Sequence, residues 1–165
     1  SMSLKNLYPG RMVSSVYEMD WEKLALTYRG VIFDIDNTLV PHGAPADDRA
    51  KELFSRLHGL GMKTALVSNN GEERVRPFAE KVESIYLYKA GKPKKDGYER
   101  AMQQMGTDTE NTLFVGDQIF TDIFGGNRAG LDTVLTEPID KSTDEPQIVV
   151  KRWFEKPFRK VRRDF

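Results

Sequence analysis

Five short apolar runs punctuate this chain, and between them hydrophobic residues recur at helical spacing. The first, Val31-Ile32-Phe33, shows no polar alternation, as expected of a strand covered on both faces, and it stops abruptly in Asp34-Ile35-Asp36-Asn37-Thr38-Leu39. Upstream, Trp21 to Leu26 reads as a short helix with Asp20 as its N-cap. Downstream, Pro41-His42-Gly43-Ala44-Pro45 is too heavily punctuated for regular structure, and Ala50, Leu53, Phe54 and Leu57 predict an amphipathic helix over about 46 to 58, ended by Gly59 and Gly61. Thr64-Ala65-Leu66-Val67 predicts a second strand running into Ser68-Asn69-Asn70-Gly71, a turn that opens another helix. Ile85 to Tyr88 predicts a third strand, followed by Lys89-Ala90-Gly91-Lys92-Pro93 and a helix through Met105. Thr112 to Gly116, closed by Asp117, is the fourth; a helix near Asp122 to Ala129 precedes the fifth, Leu131 to Leu135.

Strands alternating with helices imply βαβ units, and hence a three-layer α/β fold around a central, mostly parallel sheet of five strands. The organisation expected is an N-terminal segment with a short helix (1–29), a core (30–136), and an irregular connection with a basic amphipathic tail (137–165). In that tail Phe154, Phe158, Val161 and Phe165 recur at helical spacing, with Pro157 tolerable only near the start of their helix.

Composition narrows the function classes. At 165 residues the chain suits one domain with a real core, and 25 basic against 25 acidic side chains give no global field for nucleic acid. With no cysteine there is no disulfide framework or thiolate metal site, and no segment approaches about 18 consecutive apolar residues, so a cytoplasmic protein is expected. Charge is uneven locally: residues 151–165 hold seven basic side chains against two acidic, a net of +5, leaving −5 on the rest. Two readings of the tail stay open. Its apolar stripe packs on the domain or on a second subunit of a homo-oligomer, or residues 151–165 lie on an anionic membrane and make the protein peripheral to it.

Open α/β sheets place chemistry just beyond the carboxyl ends of their strands. Asp34 and Asp36, Ser68 and Asn69, and Asp117 with Asp122 follow three separate strands, and Lys92 lies in a loop before a helix, so all can converge on one edge. Two adjacent buried acids call for a metal or a basic partner. The set suits phosphoryl transfer: Asp34 as nucleophile, Asp36 as acid and then base, Mg²⁺ on Asp34, Asp117 and the backbone carbonyl of Asp36, and Ser68, Asn69 and Lys92 holding phosphoryl oxygens.

The order Asp34-Ile35-Asp36-Asn37-Thr38, Ser68-Asn69, Lys92-Pro93 and Gly116-Asp117-Gln118-Ile119-Phe120-Thr121-Asp122 resembles the four motifs of haloacid dehalogenase (HAD) superfamily phosphatases across residues 30–136. The resemblance implies a Rossmann-like HAD fold, a phosphoric monoester hydrolase working through an aspartyl-phosphate with Mg²⁺, and a place for Asp122 behind the metal ligands. Asp36 resembles the acid of the phosphatase and phosphomutase branches. The finer pattern, with Thr121-Asp122-Ile123-Phe124-Gly125-Gly126-Asn127-Arg128, is similar to the capless IIIA group called YqeG, related to phosphatidylglycerophosphate phosphatases. Spacing agrees: between Asp36 and Ser68, and between Asn70 and Lys92, no inserted cap domain fits. An open site favours a large substrate such as a lipid headgroup, or a lid built by an oligomer, with residues 39–46 as a small flap.

Plainer readings stand beside these. Ser68-Asn69 is also turn chemistry, Asp117 and Asp122 also suit a helix start, and Lys89, Lys94 and Lys95 compete with Lys92. Asn127 and Arg128 are either a substrate handle or packing, His42 belongs to the flap, and His58 reads as a helix-end surface residue. For the activity, a phosphatase of soluble sugar or nucleotide phosphates and a phosphate- or Mg²⁺-responsive binding module remain alternatives to a lipid phosphate.

Overall fold

The computed structural model describes residues 3–162. A single sheet of six strands, all parallel, runs in the order β1-β6-β5-β2-β3-β4, with β1 Arg11–Val13, β2 Gly30–Phe33, β3 Lys63–Val67, β4 Ile85–Leu87, β5 Thr112–Gly116 and β6 Asp132–Thr136. The expected sheet thus gains a sixth strand. β1 is three residues long, with Arg11 exposed and Met12 and Val13 half-buried, and lies at the edge beside β6, so it needed no fully apolar run.

The interior strands alternate as the pleat requires. Val31 and Phe33 of β2 enter a core on one face with Trp21, Leu53, Phe54, Leu57, Val75 and Phe78, whereas Ile32 enters a core on the other with Tyr98, Ala101, Met102 and Phe114. Phe33 sits between Trp21 and Phe54, with ring centroids 5.8 and 5.1 Å away. The helices between the strands are α1 Trp21–Leu24, α2 Asp48–Gly59, α3 Glu72–Val82 and α4 Lys95–Met105, so the layers are helix, sheet, helix. Asp20 and Asp47 cap α1 and α2, accepting from the backbone N–H of Lys23 and Ala50.

Two segments depart from the sequence reading. After β5 the chain makes a π-helical turn over Ile119–Ile123 before the short α5, Phe124–Arg128. After β6 the connection holds one 3₁₀ turn, Lys141–Thr143, and then α6, Pro146–Glu155, with Pro146 in its first turn. The tail helix therefore starts before the basic run and ends before Pro157. Phe158 lies in a 3₁₀ turn packed edge-on against Tyr8 and Phe120, Phe154 and Val161 are exposed, and Phe165 is outside the described residues. The four-residue stripe is not one helix face.

Candidate active site

Strand order reverses at β2: the chain proceeds outward to β3 and β4 on one side and returns through β5 on the other, which makes the β2–β5 boundary a topological switch point. Asp34 follows β2 and Asp117 follows β5, and because Phe33 is in register with Val115 the two acids leave neighbouring strands at nearly the same level. Asp122 is wound back to them by the π turn. Its approach depends on Gly116, where a Cβ would come within 2.6 Å of the Asp122 side chain. Asp34, Asp117 and Asp122 each offer a carboxylate oxygen within 4.8 Å of the others, and all three are buried.

Lys92 completes this group. Its Nζ donates to Asp34 Oδ1 at 2.9 Å and to Asp122 Oδ1 at 2.7 Å, and its side chain is 3% exposed. The ammonium is placed by a reciprocal amide clamp: the Lys92 N–H donates to Asn69 Oδ1 (2.7 Å) while Asn69 Nδ2 donates to the Lys92 carbonyl (3.1 Å). Of the loop lysines, Lys92 is the one brought to the carboxylates, and Asn69 positions it. Ser68 is buried at the floor, its Oγ accepting from the Asn70 N–H. A cavity of about 220 Å³ opens over these groups, lined by Asp34, Asp36, Ser68, Asn69, Lys92 and Asp122 together with His42, Gln118 and side chains of α6.

The electrostatics separate the acids. Burial drives the Asp34 carboxyl up to about 7, Lys92 pulling it down and Asp117 pushing it up; burial and the Asp34 charge raise Asp122 to about 6 despite Lys92; burial and Asp122 raise Asp117. Asp36 goes the other way. Although burial opposes it, the Gly43 N–H and the Arg74 guanidinium, both 2.8 Å from Oδ1, hold Asp36 below the usual carboxylate range, and Asn70 Nδ2 donates to Oδ2 at 2.7 Å.

Several participants were given no role in the sequence reading. Arg152 of α6 donates through Nη2 to Asp117 Oδ2 (2.6 Å) and through Nη1 to the Asp117 carbonyl (3.2 Å), and its Nε and Nη2 reach Asp144 at 2.6 and 3.2 Å. Thr38 donates to the other Asp117 oxygen at 3.0 Å, and Asn37 donates to Asp144 at 2.7 Å. Among the described residues, four covered carboxylates, those of residues 34, 117, 122 and 144, thus share two cations, Lys92 and Arg152. That deficit, together with an all-oxygen donor set, fits a hard divalent ion at the acidic triad. Asp122, expected behind the ligands, has a carboxylate oxygen within 4.8 Å of those of Asp34 and Asp117 while accepting from Lys92 Nζ and the Gln118 N–H.

The lesser candidates resolve toward structure. Asn127 Nδ2 donates to the carbonyls of Asn6 and Tyr8 at 2.8 and 2.9 Å, tying down the N-terminal segment, and Arg128 stacks on Phe124. His42 lines the cavity and pairs with Glu145 at 3.1 Å. His58 is half-buried with Nε2 at 2.8 Å from Thr64 Oγ1 rather than free at the surface.

Comparison with known proteins agrees with this architecture. A model for haloacid dehalogenase-like hydrolases matches residues 43–130. The chain is 38% identical over 143 residues to "Probable phosphatase YqeG" of Bacillus subtilis, covering 86% of this chain and 83% of that protein. It is 30% identical over 175 residues to "Phosphatidylglycerophosphate phosphatase 1, chloroplastic/mitochondrial" of Arabidopsis thaliana, covering 93% of this chain but spanning only 50% of that protein. The fold resembles that of the cobalt-bound deoxy-D-mannose-octulosonate 8-phosphate phosphatase of Haemophilus influenzae, with TM-score 0.54, 16% identity, and coverage of 82% of this chain and 89% of that one. A parallel sheet reversing at β2, with an acidic triad and a buried lysine at the reversal, is thus accompanied by extended sequence identity, and the chain belongs to the haloacid dehalogenase-like hydrolases.

Proposed function

We propose that the protein is a Mg²⁺-dependent phosphomonoester hydrolase that works through an aspartyl-phosphate on Asp34, with phosphatidylglycerophosphate as its substrate. The observation that carries the reading is the buried Asp34, held by Lys92 within 4.8 Å of the oxygens of Asp117 and Asp122 at the floor of an open cavity. An Asp34 pushed up to about 7 by burial needs more positive charge than Lys92 alone to act as a carboxylate nucleophile, and the deficit of cations leaves room for it. Asp34, Asp117 and Asp122 would hold Mg²⁺, which when bound supplies Lewis-acid charge neutralisation of the phosphoryl oxygens. An Asp36 carbonyl ligand belongs to the same proposal.

The chain's own groups would then act in two displacements. An Asp34 carboxylate oxygen attacks phosphorus, the bond from phosphorus to the ester oxygen breaks, and that oxygen takes a proton from Asp36. Water, deprotonated by Asp36, then attacks phosphorus, the bond to Asp34 breaks, and inorganic phosphate leaves. The Arg74 contact sets a condition on the first step: Asp36 is held ionised, so it has to exchange Arg74 for the substrate before it can donate. Ser68, Asn69 and Lys92 are the phosphate-holding groups of this scheme.

The lipid assignment draws on the Arabidopsis relative's name and on the absence, between Asp36 and Ser68, of anything beyond a loop, α2 and β3. The test is phosphate release by purified protein from phosphatidylglycerophosphate, from soluble sugar and nucleotide phosphates, and from an aryl phosphate, with and without Mg²⁺. The lipid ester should turn over fastest; preference for a soluble ester overturns the substrate, and turnover undiminished in Asp34→Asn overturns the nucleophile.

A further inference from the structure

α6 presents opposite faces to the site and to solvent. Ile148, Arg152 and Glu155 fall at i, i+4 and i+7 and point inward, with Gln147, Ile148 and Lys151 lining the phosphate cavity, whereas Val149, Val150, Trp153 and Phe154 are 54, 56, 64 and 57% exposed on the opposite face. Such a contiguous apolar patch on a short helix marks a surface meant to be covered. A shallow groove runs along it, lined by Val149, Val150, Trp153, Lys141, Lys156, Asp144 and Arg152; Asp144 and Arg152 are covered and paired with each other, so the exposed ammonium groups of Lys141 and Lys156 flank the apolar floor.

We propose that this face of α6 is a docking surface for an anionic lipid bilayer, and that it holds the phosphate site within about one helix diameter of the headgroup layer. The proposal rests on the reading that the site takes a lipid-borne phosphate monoester, and it supplies the means by which a site without a cap domain meets such a substrate. Charge selects the occupant. An anionic surface complements Lys141 and Lys156, whereas a second copy joined by two-fold symmetry would meet the same patch with the same cations. An exposed tryptophan beside valines and lysines is the composition of an interfacial helix, and no helix among the described residues is long and apolar enough to cross a membrane. Because a helix is about 10–12 Å across, a bilayer on the outer face of α6 would lie about one helix diameter from the cavity on its inner face.

Sedimentation with phosphatidylcholine vesicles, with and without phosphatidylglycerol, tests the surface without any turnover. The protein should co-sediment with the phosphatidylglycerol vesicles, and tryptophan emission should shift to the blue; Trp21 is fully buried, so Trp153 reports the shift. Val150→Asp/Trp153→Ser should abolish co-sedimentation while leaving turnover of a soluble aryl phosphate unchanged, and Lys141→Glu/Lys156→Glu should weaken partitioning by about tenfold or more. Absence of wild-type partitioning, partitioning equal in the Val150→Asp/Trp153→Ser protein, or a dimer that this variant dissociates without any vesicle binding would overturn the proposal. A protein that hydrolyses nothing yet partitions keeps the docking surface; one that hydrolyses aryl phosphate yet does not partition loses it.

Discussion

Replacing Arg152 by alanine should cost the protein a large share of its stability. The guanidinium makes four hydrogen bonds, two to Asp117 and two to Asp144, and the partner carboxylates are 0 and 1% exposed. Removing one partner of a buried pair costs about 3–5 kcal/mol, because the remaining charges lie where water cannot reach them. Burial already raises the Asp117 carboxyl, so that group can soften the loss by taking a proton, which sets the expectation at the low end, about 3 kcal/mol. For a chain of this length that corresponds to a fall in Tm of about 6–12 °C. Thermal unfolding followed by circular dichroism reads the shift, and a double-mutant cycle with Asp144→Ala should give a coupling of about 1 kcal/mol or more. A fall below about 2 °C, or additivity in the cycle, would refute the argument that Arg152 anchors α6 to the end of β5.

Two further outcomes follow from the same structure. Saturating Mg²⁺ should stabilise the wild-type protein by about 2–3 kcal/mol at a hundred times Kd, read as a rise in Tm, and should not do so in Asp117→Asn; equal shifts in both would place the ion elsewhere. Burial lowers His58 below its ordinary 6.5, so the unfolded chain takes up a proton at a higher pH than the folded one. The contribution of His58 is therefore complete above about pH 6.5 and is lost as pH falls below it; urea midpoints measured against pH should flatten over that range in His58→Gln, and an unchanged slope would contradict the assignment.

The interior of the sheet was readable because strands covered on both faces must be apolar throughout, as Val31 to Phe33 and Leu113 to Val115 are. The edge strand β1 was not, since Arg11, Met12 and Val13 face partly outward and are selected by pairing with β6 rather than by burial. The convergence of Asp34, Asp117, Ser68 and Lys92 was legible for a topological reason: a parallel sheet brings the ends of its strands to one edge, wherever they fall in the sequence. The place of Asp122 depended on a π turn and on a glycine at 116, neither of which a periodicity announces. α6 inverts the usual rule, burying Arg152 and Glu155 and exposing Val149 and Trp153. Arg152 is buried because its partners, Asp117 and Asp144, come from other elements, and Glu155 because it accepts the Phe120 N–H at 2.7 Å; only the fold supplies those partners.

The most direct test of the whole account is to catch phosphate on Asp34. Protein mixed with an aryl phosphate and Mg²⁺, quenched in acid during turnover and digested, should yield one phosphorylated peptide containing residue 34, absent from Asp34→Asn. Turnover without covalent phosphate on that peptide, or with it on another residue, would contradict the account.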